Sequence, residues 1–127
     1  SSYITASDIL DDVNIDAIDI LDASTAKVQI YADKKKKKVL KSNPGTIQTY
    51  PQPTFKVTNS DKSVVGYYIY FGSNITIDPV VKGSFVKQLE YTPKGLKNAG
   101  TYYFIIRAKN KNGSISDKVI TEYRYKK

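Results

Sequence analysis

Two segments of this chain alternate so strictly that they constrain the fold more than anything else in its 127 residues. Successive strand side chains point to opposite faces. Stepping by two through Gly66-Tyr-Tyr-Ile-Tyr-Phe-Gly72 therefore puts Tyr67, Ile69 and Phe71 in one row. The same stepping through Gly100-Thr-Tyr-Tyr-Phe-Ile-Ile-Arg-Ala-Lys109 gives Tyr102, Phe104, Ile106 and Ala108. These rows are natural facing walls of one core. Leu96, Gly100 and Tyr102 have the spacing of a tyrosine corner, in which a Tyr opening a strand hydrogen-bonds back to the preceding connection. Tyr102 is thus expected to be buried and structural.

From about residue 46 onward strand signals recur at short spacing, as an all-β sandwich requires. Strands are expected at 46–50, 53–58, 64–72, 84–91, 101–109 and 117–125. Pro51 and Pro53 restrict the second to an edge or a first-residue start. Asn112-Gly113 is a hairpin signal, since both residues tolerate positive φ. Asn43-Pro44-Gly45 is the clearest break.

The chain ahead of that break is acidic and then basic. Residues 1–26 hold six Asp and no Lys or Arg; residues 27–127 hold all twenty Lys and Arg against six acids, a net of +14. A helix over 7–33 would line up Ala17, Ile18, Leu21, Thr25, Val28 and Ala32 at 3–4 spacing, with acids at its start and lysines at its end as the helix dipole favours. That amphipathic helix is the expectation. The alternative takes Val13-Asn-Ile-Asp-Ala17 and Lys27-Val-Gln-Ile-Tyr31 as period-two strands, with Lys34, Lys35, Lys36, Lys37 and Lys38 as a hairpin tip. The expected division is a helical segment with a lysine-rich loop over 1–40 and a sandwich over 41–127, mainly β and α+β overall.

With no Cys and no His, nucleophile systems that need either residue are excluded, and so is nearly every zinc site. No catalytic residue, cofactor or metal is expected. Asp12-Val-Asn14-Ile-Asp16 starts like a calcium loop, but Ala17 replaces the turn glycine and Ala23 the terminal acid. No apolar run approaches the roughly 20 residues of a membrane span. Asn74-Ile-Thr76 and Asn112-Gly-Ser114 are glycosylation sequons whose use depends on the host.

Three surface features are candidates for function. Tyr68, Tyr70, Tyr103 and Ile105 point away from the core and form an apolar-aromatic face, which monomers seldom leave bare. The N-terminal segment is expected to cover it, with a partner or filament contact and a platform for sugar rings as alternatives. Tyr123 and Tyr125 join one of the two faces. Lys34–Lys38, with Lys41, Arg124, Lys126 and Lys127, could attract polyanions such as DNA or an anionic cell wall. Only two Arg are present, so specific nucleic-acid reading is not expected.

Pro53-Thr-Phe, the Gly66–Gly72 strand, Asp78-Pro79, Gly83-Ser-Phe85, Tyr91-Thr-Pro93, Gly100–Asn110 and Asn112-Gly-Ser-Ile-Ser116 occur in an order that resembles the fibronectin type III and immunoglobulin-like modules of prokaryotic surface proteins. Val57 stands where many such modules carry a core Trp, so Tyr and Phe must fill the core. Ala17–Asp33 more weakly resembles the second half of a type IV pilin helix. These resemblances imply an extracellular, non-enzymatic structural protein: a pilin-like filament subunit that self-assembles, or alternatively a spacer, carbohydrate-binding or adhesion module.

Overall fold

The computed structural model describes residues 21–41, 43–87 and 89–127. In chain order the strands are β1 (Ala26–Tyr31), β2 (Val39–Leu40), β3 (Ile47–Gln48), β4 (Thr54–Asn59), β5 (Val64–Gly72), β6 (Ser84–Val86), β7 (Glu90–Tyr91), β8 (Gly100–Asn110) and β9 (Val119–Tyr125). One short helix, α1 (Pro79–Lys82), lies between β5 and β6. A first sheet has the order β2-β1-β4-β7, and a second the order β3-β9-β8-β5-β6. Apart from β3, which runs parallel to β9, every pairing within the two sheets is antiparallel.

The two sheets close on one aromatic core, a sandwich-like arrangement. Phe55 of the first sheet is fully buried, and its ring stacks on Phe104 of the second at 4.6 Å between centroids. Tyr123 meets Phe55 edge-on, and Phe71 tilts against it. Ile30, Val57, Tyr67, Ile69, Ile106 and Ala108 fill the space around them. Each large side chain so buried contributes about 1.5–3 kcal/mol. Val57 is buried among these rings, so aromatic bulk supplied by neighbouring strands makes up for its small size.

Residues 21–33 are not helical. A single 3-10 turn at Ala23–Thr25, capped by the Asp22 carboxylate on the Ser24 N–H, leads directly into β1. There Val28 pairs with Val57 and Ile30 with Phe55 in register with β4. Six residues of antiparallel ladder satisfy the backbone on the β4 side and bury Ile30, and they decide the local conformation over the 3–4 spacing of the apolar residues. The rest of the expected helix, residues 7–20, lies outside the described residues. Ahead of residue 41, β1 and β2 belong to the first sheet: β1 is hydrogen-bonded to β4 and β2 to β1. The single strand expected at 84–91 is two short ones in different sheets, because the chain crosses over between Val86 and Glu90.

Candidate functional site

The outward row of β8 reads Tyr103, Ile105, Arg107 and Lys109, and that of β5 reads Gly66, Tyr68 and Tyr70; paired register sets Tyr68 beside Arg107 and Tyr70 beside Ile105. The expected aromatic face therefore exists on the second sheet, but its centre is not open. Ile105 has no exposed surface. The β5–β6 connection, residues 73–83, lies over it, held to Tyr70 through Asn74 and to Arg107 through Asp78; residues 1–20 of the expected N-terminal cover lie outside the described residues. This connection crosses the sheet as a strap, with α1 packed on β5, β6 and β8 and Pro79 fully buried.

Asp78 anchors the strap. Its carboxylate accepts from the Val80 N–H, capping α1, and both its oxygens lie 3.1 Å from Arg107 Nη1. Arg107 Nε also donates to the Ser116 carbonyl, so one guanidinium ties the strap to the sheet and to the approach to β9. The Val80 N–H, aided by Arg107, holds the Asp78 carboxyl below the usual carboxylate range. Further along, Lys118 Nζ donates to the Thr76 carbonyl, and the Asn74 N–H donates to the Tyr70 hydroxyl. Tyr70 also folds over Gly72, filling the space a Cβ would need.

The face remains accessible on either side of the strap: on the β9 side Ile120, the partner of Ile105, is 42% exposed, and the other opening lies at the β6 edge. Phe85 is 42% exposed, and its ring tilts against Tyr68 at 5.0 Å. Lys109 Nζ sits 5.8 Å from the centre of the Phe85 ring. Gly66 leaves the recess in which Phe85 lies, since a Cβ there would overlap the ring. Phe85, Arg107 and Asp78 were absent from the candidates read in the sequence. Two signals could have found them: Arg107 continues the Tyr103–Ile105 row, and Asp78-Pro79 is a helix-start signature.

The corner residues lie in the β7–β8 connection and at the start of β8. Tyr102 Oη donates to the Asn98 carbonyl at 2.7 Å, and its half-buried ring lies parallel to Phe71 at 5.7 Å. The Leu96 N–H donates to the Pro51 carbonyl at 2.7 Å, and the Leu96 side chain packs on the core. Gly100 opens β8 opposite Tyr125.

The lysine run forms the tip between β1 and β2. Asp33 turns the chain there by accepting from the Lys35 N–H, and Lys36 takes a positive φ of 57°. Lys36 Nζ pairs with Glu90 at 2.9 Å, and Lys38 Nζ lies 5.3 Å from the centre of the Tyr50 ring. Lys34, Lys35 and Lys37 are exposed. The five cations are thus split between local structural contacts and solvent, and Arg124, Lys126 and Lys127 lie on β9 and beyond it.

Among the described residues, no group of three or more acidic side chains converges into a metal-holding cluster, and no helix is long and apolar enough to cross a membrane. No protein-family model matches the chain, and no curated protein matches it.

Proposed function

We infer that the chain is a non-enzymatic β-sandwich module of the fibronectin III/immunoglobulin kind, which spaces or joins its neighbours in a secreted or cell-surface protein. The observation that carries this reading is the path of the chain through the sandwich. β1 starts beside Asn59, at the end that also holds the β8–β9 hairpin. β9 finishes beside Gly100, at the other end. From Ser116 to Tyr125 the chain advances nine residues, about 30 Å at strand rise. A module whose β1 begins at one end and whose β9 finishes at the other is suited to hold its neighbours in line.

Two further points support the reading. The order β1-β4-β7 facing β9-β8-β5-β6, with β3 parallel to β9, accords with the motif order that carries the resemblance. Among the described residues, six of the seven carboxylates have structural duties: Asp22, Asp33 and Asp61 in turns, Asp78 and Glu90 in ion pairs, and Glu122 on the Gly45 N–H. A pilin-like filament subunit, the other reading, depends on an amphipathic helix that residues 21–33 do not form.

Two full-length copies fused in tandem provide the test by small-angle scattering. The expected result is a particle close to twice the length of one copy. A compact pair, hardly longer than a single copy, would overturn the in-line spacer.

A further inference from the structure

We propose that the acidic residues 8–20 of this chain dock, in extended form, into the basic groove along the open edge of β1 in the same molecule. β2 pairs only with Ile30 and Tyr31, so among the described residues the side of Ala26–Gln29 away from β4 has no strand partner. Beside that edge lies a groove of about 600 Å³. Lys27, Lys41 and Lys56 line it together with Val28, Val39 and Leu40, and no acidic residue does. Val39 is 54% exposed there. An unpaired edge beside exposed apolar side chains is a template for an added strand.

The segment has the complementary chemistry. Asp8, Asp11, Asp12, Asp16 and Asp19 are its charges, and residues 1–20 contain no cation. Val13-Asn-Ile15-Asp-Ala17 alternates as a strand must if it is to present one apolar row to the groove and acids to the lysine rim.

The tether is suited to the same molecule. Leu21 is bridged to Ser116, at the end of the sandwich where β1 begins. With Val13–Ala17 on the edge, residues 18–20 form the link to Leu21 and span about 10 Å when extended. The open edge of four residues is about 13 Å long, which Val13–Ala17 covers, and the short link returns the chain to Leu21 at the end where β1 begins. A short tether also holds the segment at an effective concentration of order millimolar, which favours its own groove over that of a second copy.

The test uses the full chain. Carbodiimide coupling of a mixture of ¹⁴N- and ¹⁵N-labelled protein joins carboxylates to nearby amines. Expected are links from Asp11–Asp19 to Lys27, Lys41 and Lys56, within single molecules, several-fold above links to Lys34–Lys38. They should be lost in about 1 M NaCl, where the screening length falls to about 3 Å. Links scattered over all lysines, or links joining ¹⁴N to ¹⁵N chains, would overturn the proposal. As a second measurement, replacing the five Asp by Asn leaves the sandwich residues untouched. It should shift the amide resonances of Lys27–Gln29 and Val39–Lys41. Unchanged resonances there would equally overturn it.

Discussion

The Tyr123 hydroxyl, from inside the core, donates to the Tyr50 carbonyl and so ties the last strand to the connection between β3 and β4. Tyr123 is 1% exposed, and burial pushes its phenol well above the usual tyrosine range. Its cross-strand neighbour Tyr102 makes a similar bond to Asn98, but at the surface. Two tyrosines side by side thus hold two different connections, one from within the core and one from its rim.

Tyr123→Phe should cost about 1–3 kcal/mol, the range for stranding a buried partner. Tyr102→Phe should cost less, about 0.5–1.5 kcal/mol, because water reaches the Asn98 carbonyl. Urea denaturation of both variants checks the order. Equal costs would contradict the assignment of Tyr123 as the inner tie.

Alkaline pH should destabilise the protein through the same group. A phenol whose pKa is raised on folding stays protonated in the folded state while the unfolded chain ionises near pH 10. The stability it contributes is present below about pH 10 and is lost as pH rises towards the folded pKa. Tyr67 and Tyr91 are shifted upward by burial too and add to the loss. Thermal melting at stepwise pH should show a plateau below about pH 9.5 and a steep decline above it. Tyr123→Phe should blunt that decline.

Tyr67→Phe should behave in the opposite way to Tyr123→Phe. Tyr67 Oη and Asn59 Nδ2 lie near each other in the interior, yet neither makes a hydrogen bond of good geometry. Removing an unpaired buried hydroxyl should change stability by no more than about 0.5 kcal/mol, or improve it. A loss above about 1 kcal/mol in chemical denaturation would reveal a bond to this hydroxyl.

The strap makes two glycines inequivalent. A Cβ at Gly83 would overlap the carbonyl oxygens of Ile69 and Pro79, both backbone atoms that cannot swing aside. Around Gly95 no atom lies within 4 Å of such a Cβ. Gly83→Ala should therefore destabilise by about 1–3 kcal/mol, as overpacking does. Gly95→Ala should be neutral, or stabilising by about 0.4–1 kcal/mol through the unfolded chain. Paired melting curves decide it.

Ile105→Ala should cost about 2–5 kcal/mol if the strap seals this residue as a core position. A cost below about 0.5 kcal/mol would mean that the strap lifts readily from the sheet.

Much of the second sheet was legible because its strands are long and have two distinct faces. The expected 64–72 coincides with Val64–Gly72, and 101–109 falls within Gly100–Asn110. The first sheet was harder to read. Leu21, Thr25, Val28 and Ala32 satisfy a helical spacing, while Ala26, Val28 and Ile30 satisfy a strand's, and only the ladder to β4 separates the two. The cover over Ile105 was illegible for another reason. Residues 73–83 place Ile75, Ile77, Pro79 and Val81 at a strand's period of two, although they form a connection that ends in α1, so nothing local marks them as a lid. Their place is fixed by Asp78 reaching Arg107, twenty-nine residues away.

The start of β1 and the finish of β9 at opposite ends have a mechanical consequence. In the in-line module proposed above, tension would pass into β1 and out through β9. Their ladders to β4 and β8 would then be loaded in shear, with many hydrogen bonds strained together, and would not be peeled open one at a time.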